Sequence, residues 1–314
     1  MTALLDRIGV QALGTTCSIG VTARPLQLAP ARAALAAGRA ELEACERALS
    51  RFDPASDLSR ANRRAGSWVE VDLRLVEALD AALRLREVTD GRCDPTVLPD
   101  LLAAGYDDSY ERLRVRAPRR PSAGAGARVD VDRARLRVRV AAGAAVDVGA
   151  TGKGFVAARV LEAVRSAWPR VSGAIADLGG DVAVFGAPPD RGPWLLGVEE
   201  PGGAGTLGTI RLGAGGAATS GPARRRFGPD RGLHHLIDVA TGRPARQGPL
   251  AVTVVSDDPV AADGHATALA VTPLAETADY LARRPHLGAV VVGPDGPDVH
   301  GRIDFVPARK EALV

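Results

Sequence analysis

Apolar and charged residues alternate strictly in RVDVD (128–132) and RLRVRV (135–140), with two residues between them. That period-2 pattern reads as a β-hairpin. AIADLGGDVAVFG (174–186) repeats the arrangement as strand, Gly turn, strand. WLLGVEE (194–200), TIRL (209–212), LAVTVVS (250–256), GAVVVG (288–293) and RIDFV (302–306) are further strands, and AAVDVG (144–149) is a strand end. Helical spacing marks 29–50, 73–88, FVAARVLEAVRSAW (155–168), DGHATALAV (263–271) and LAETADYLARR (274–284);. The stretches 51–66 and 91–110 read as loops, the second with a short helix at most. Strands that follow one another directly pair antiparallel, and no steady strand–helix–strand beat appears. The expected class is therefore α+β (mixed α/β), with antiparallel or mixed sheets flanked by helices, rather than a doubly wound parallel sheet.

The 314 residues are ample for one large core, and the expectation is a single domain over 1–314, with a core over about 10–295 and a low-complexity, mobile insertion at about 117–127 (APRRPSAGAGA);. Net charge is only +3, with no basic block interleaved with aromatics, which argues against a nucleic-acid partner;. No apolar run is long enough to span a membrane. The N-terminus carries no signal-peptide pattern and Cys17 sits in a poor lipobox, so a cytoplasmic location is expected. Three cysteines, without CxxC spacing, argue against a disulfide framework or a cysteine zinc site;.

Of the 40 basic residues 38 are arginine; the lysines are Lys153 and Lys310. One of these two falls in GATGKG (149–154), which has the sound of a phosphate loop. The Walker pattern fails, because Asp147 stands at its first Gly and Gly154 at its Ser or Thr, the residue that would hold Mg²⁺. The segment still suits an anion: its glycines turn tightly, and Lys153 lies at a helix N-terminus, where free N–H groups favour phosphate. Alternatively it is a Gly-rich turn with an exposed lysine.

A phosphate site of this kind needs a cation. ADGHATALAV places Asp263 and Thr267 at i, i+4, on one helix face, and such oxygen donors suit Mg²⁺. The competing reading has Asp263 capping the helix. His234 and His235 are the candidate general bases, with His265 as rival; Cys93 reads as packing.

The pieces ALGTTCSI, SRFDPASDLSRANR, GRCDPTV, VDVGATGKGF, ADLGGDVAVFG, ATSG, HHLIDVATGRPA, AVTVVS and ADGHATALA occur in one order, and together they resemble the FAD:protein FMN transferase (ApbE-like) family over roughly residues 10–295. The resemblance implies an Mg²⁺-dependent enzyme that moves FMN from FAD to a threonine hydroxyl of an acceptor flavoprotein and releases AMP. Carried across, the metal would be held by the Ala150 carbonyl, Asp263 and Thr267. FAD would meet Leu13, Phe52, Arg92, Cys93, Asp94, Asp147, Lys153 and Ile237, and His235 with Lys153 would be catalytic. The chain departs from the family's habit at Leu13, Phe52, Cys93, Val239 and Gly264-His265, the last pair beside the metal ligands. A hydrolase splitting FAD into FMN and AMP, or an FAD-binding protein without turnover, would use the same residues.

Overall fold

The computed structural model describes residues 3–114, 118–121, 125–203, 205–223 and 225–308; Arg224, Lys310 and part of the 117–127 insertion lie outside the described residues. Eight strands form one antiparallel sheet, in the order Leu4–Ala12, Thr15–Ala23, Gly173–Leu178, Val182–Gly186, Gly215–Ser220, Ala251–Ser256, Gly288–Gly293, Gly296–Gly301. Among the described residues seven α-helices accompany it: α1 (Leu28–Leu49), α2 (Asp57–Arg63), α3 (Leu73–Val88), α4 (Leu98–Ala104), α5 (Gly152–Ala167), α6 (Pro259–Val271) and α7 (Thr277–Ala282). The expected α+β class is the observed one.

The sheet separates two apolar layers by side-chain alternation. In Val182–Gly186, Ala183 packs toward α1 and α5, while Val182 and Val184 pack toward a second, three-stranded sheet of Trp194–Glu199, Thr206–Leu212 and Phe305–Pro307. Val252 and Val254 face α6 and α7, whereas Val255 belongs to the opposite layer. α1 buries a stripe of Ala31, Ala34, Leu35, Gly38, Leu42, Cys45 and Leu49. It packs against α5 at Gly38, where a Cβ would stand 3.0 Å from Val164 Cγ2. α3 starts where Asp72 accepts the Arg74 N–H at 2.8 Å.

Three assignments differ from the sequence reading. Residues 51–66 contain α2, seven residues long, started by Ser56 accepting the Ser59 N–H at 3.0 Å. Its buried contribution is Leu58 and Ala61, too short a stripe to show a period;. AAVDVG is not a strand: the Asn62 side chain takes both the N–H and the carbonyl of Val146, each at 2.8 Å, and the Asp147 N–H donates to the Pro95 carbonyl. A side-chain amide thus replaces the neighbouring strand. RIDFV is strand only from Phe305, where pairing with Ile210 begins. The hairpin of 128–140 forms as Val129–Asp132 against Arg137–Val140. Of the proposed insertion, Arg119 N–H donates to the Ala103 carbonyl and Gly126 N–H to Asp94.

Candidate active site

α5 begins inside GATGKG, at Gly152, and its first turn runs against α6. Gly154 makes this approach possible: a Cβ there would stand 2.3 Å from the Pro259 carbonyl oxygen and 2.8 Å from Asp263 Cβ. The residue that breaks the Walker pattern is therefore the contact point of two helices, with no room for a hydroxyl side chain. The Gly154 N–H donates to Asp263 Oδ2 at 2.9 Å, so a free N–H of α5 is satisfied by a carboxylate of α6;. One turn further along α6, the Thr267 hydroxyl donates to the Ala150 carbonyl at 3.3 Å and lies 3.4 Å from the Ser220 hydroxyl. Ala150 and Thr267, 117 residues apart, are thus neighbours, one turn of α6 from Asp263.

α6 is capped by Asp258, which accepts the Val260 N–H, so Asp263 is not a cap. Gly264 leaves the helix intact and admits α3: a Cβ there would be 2.6 Å from Leu85 Cδ1. His265 turns away from Asp263 and Thr267, and its Nδ1 meets the Tyr280 hydroxyl at 2.6 Å.

Lys153 forms an ion pair with Asp181, a buried residue of the Gly-Gly-Asp turn that the sequence reading did not single out. Burial opposes the Lys153 charge, but Asp181 and Asp263 outweigh it and hold its pKa above the ordinary value. Burial, then the charge of Asp181, push the Asp263 pKa well up, against the pull of Lys153 and of the Gly154 and Lys153 N–H groups. One lysine faces two buried carboxyl groups, one with a raised pKa, beside carbonyl and hydroxyl oxygens. Carbonyl, carboxylate and hydroxyl donors are the set Mg²⁺ accepts, so the residues fit that ion.

His235 is half-buried, and burial, then the charges of Arg225, His234 and Lys153, lower its pKa to about 3. It is a neutral imidazole at ordinary pH. Arg225 is half-buried and Arg226 is exposed. His234 instead closes a strand contact, its Nε2 lying 2.7 Å from the Ala245 carbonyl. The Asp238 carboxylate accepts from Ala240 N–H at 3.0 Å and from the Thr241 hydroxyl at 2.9 Å, which fixes the ATG turn.

The proposed flavin residues are not equivalent. Phe52 is exposed, with the Arg51 guanidinium 4.1 Å from its ring centroid and 4.8 Å from that of Tyr106. Arg51, overlooked in the sequence, pairs with Asp147 at 3.1 Å. Asp147 also accepts the Gly149 N–H at 2.7 Å, so its carboxylate shapes the start of the glycine turn. Leu13 holds a left-handed backbone (φ 54°), and its N–H donates to Glu46 at 2.8 Å. Ile237 is buried in a satellite core with Leu101, Tyr106 and Phe227. Asp94 uses its carboxylate on Thr96 and Gly126, and Cys93 is buried, its thiol pKa raised by burial and then by Asp263 and Asp94. Arg92 lies at the surface between Asp90 and Glu276, at the wall of a cavity of about 740 Å³ shared with Asp238 to Gln247. Lys153, Asp181 and Asp263 do not line that cavity.

The ApbE family profile matches residues 13–291, the span that holds all of these groups. This chain belongs to the ApbE family. Among its relatives, the FAD:protein FMN transferase of Treponema pallidum is 28% identical over 90% of this chain and 83% of that protein. The enzyme of the same name from Rhodobacter capsulatus is 31% identical over 77% of this chain and 48% of its own length. The crystal structure of the ApbE protein from Thermotoga maritima superposes with a TM-score of 0.82, at 29% identity, covering 96% of each chain. The apo Pseudomonas stutzeri flavinyl transferase ApbE shares the fold, with a TM-score of 0.77 at 23% identity over 96% of this chain and 95% of that one. The ApbE family places this chain among the transferases.

Proposed function

We propose that this chain transfers FMN from FAD to a threonine hydroxyl of an acceptor flavoprotein, releasing AMP, with Mg²⁺ as cofactor. The observation that carries the reading is the convergence of Ala150, Asp263 and Thr267 oxygens beside the Lys153–Asp181 pair, in a chain of the ApbE family. Those three residues would hold the ion, which when bound neutralises pyrophosphate charge and supports displacement at phosphorus.

The chain's own groups supply the rest. Lys153 adds a fixed positive charge for the phosphates at the start of α5, where helix N–H groups also favour anions. Phe52 offers an exposed ring for the flavin. His235 accepts the threonine proton: its neutral state leaves a ring nitrogen free as base, and the arrival of anionic phosphate counteracts the cations that lower its pKa;. The threonine oxygen then bonds to the FMN phosphorus, the bond from that phosphorus to the bridging oxygen breaks, and AMP leaves with the bridging oxygen.

Incubation with FAD, Mg²⁺ and a flavoprotein acceptor tests this. The expected result is a fluorescent acceptor band that survives denaturation, with AMP appearing in step. AMP formed equally fast without acceptor would replace transfer by FAD hydrolysis, and bound FAD with no AMP would reduce the site to a binding role.

A further inference from the structure

The face of α6 opposite Asp263 and Thr267 borders a cavity of about 560 Å³. Its walls come from α3 (Arg84, Leu85, Val88), the first turns of α6 (Val260, Ala261, His265) and the segment after α7 (Arg283, Arg284, His286). Two acids, Asp90 and Asp258, also line it, and both already have partners. Asp90 accepts from Arg284 at 3.0 Å and pairs with Arg92, and Asp258 caps α6. Arg284 is buried, with its donors on the Val88 and Tyr280 carbonyls and on Asp90.

Arg84 and Arg283 differ from it. Both are exposed, both line the cavity, and neither side chain has a hydrogen bond or ion pair among the described residues. His265 is 2% exposed, and its Nδ1 is taken by the Tyr280 hydroxyl. Its Nε2 has no partner among the described residues, and the ring lines the cavity. That nitrogen opens onto the cavity between the two guanidinium groups, where it can meet an oxygen of a bound ligand. Guanidinium forks match the oxygens of a phosphate in pairs. The apolar part of the wall, Ala81, Leu85, Val88 and Val260, gives room for a nonpolar or aromatic body attached to that phosphate.

We propose that this cavity binds a phosphate group, with Arg84 and Arg283 on its oxygens and His265 as a further contact, at a site separate from the Asp263–Thr267 face of the same helix. Inorganic phosphate and a nucleoside monophosphate are the two sources of that group. Calorimetric titration of the full chain with inorganic phosphate, AMP and adenosine separates these sources, and spectra of ¹⁵N-histidine protein locate the site. Phosphate is expected to bind saturably and to shift the resonances of His265 and His286. Adenosine should bind at least about tenfold more weakly than AMP. AMP tighter than phosphate would identify a nucleotide site, and equal affinities a phosphate site. The R84Q/R283Q double variant alters two exposed side chains and should keep its fold. It should lose phosphate affinity by about tenfold or more while retaining FAD binding. Phosphate binding that the double variant leaves unchanged would overturn the proposal. So would adenosine binding as tightly as AMP, or no saturation below about 10 mM. FAD binding and turnover are read separately, so failure of either leaves this test intact.

Discussion

Two buried ionic clusters lie at opposite ends of GATGKG. Upstream, Asp147 meets Arg51, one carboxylate with one guanidinium, and the same carboxylate closes the turn on Gly149. Downstream, Lys153 meets Asp181 with Asp263 close by, one cation among two carboxylates. The first cluster is balanced and its groups hold the chain in shape. The second is not balanced, and a carboxylate with a raised pKa is stable there only with a proton or another cation. Charge balance thus separates the Arg51–Asp147 pair from the Lys153, Asp181 and Asp263 group, although Asp147 and Lys153 stand only six positions apart.

The contrast can be broken by substitution, and the largest effect should come from the unbalanced cluster. Asp263→Asn should lower turnover by a hundredfold or more, equivalent to at least about 2.7 kcal/mol in the barrier. It should leave the melting temperature of metal-free protein unchanged or raised, because it removes a buried carboxylate that the fold holds against its charge. Normal AMP release by this variant would exclude Asp263 as a ligand. Arg51→Met should act in the opposite sense, destabilising the fold by about 3 kcal/mol, since Asp147 would remain buried without its partner. Chemical denaturation measures this, and a variant as stable as the parent would show that the upstream pair is not structural.

A smaller effect is expected where the two helices meet. Gly154→Ala should cost about 1–3 kcal/mol through overpacking against the Pro259 carbonyl, and should weaken Mg²⁺ binding because α6 must move;. Calorimetric titration with Mg²⁺ beside a denaturation curve would show whether the two losses go together.

The last is a pH effect, confined to acid conditions. His235 is held at about 3 in the folded state, below its ordinary 6.5. The unfolded chain therefore binds more protons below 6.5, and stability falls as pH drops from 6.5 toward 3. His235→Gln should reduce that acid slope by one proton, and an unaltered slope would mean that His235 is not buried as described.

The antiparallel character of the fold was legible because period-2 strands follow one another directly, and α1, α3 and α5 because their stripes are long. α2 and the Val146 segment were not. One is too short to show a period, and the other owes its backbone hydrogen bonds to Asn62, 84 residues away. The pairing of Asp263 with Thr267 was visible as a spacing along one helix. Asp181 and Arg51 were hidden, because what distinguishes them from other charged residues is the partner each meets.

By itself the sequence determined the alternation and spacing of residues: the long helices, several of the strands, and which side chains share a helix face. These depend on neighbours within a turn or two, where backbone geometry alone fixes distance. Only the tertiary structure decided that Ala150 meets Thr267, that Lys153 sits between Asp181 and Asp263, and that Gly154 is where α5 touches α6. Those contacts join segments up to 117 residues apart, and the Coulomb energies and desolvation that give them chemical meaning exist only once the chain has closed around them;.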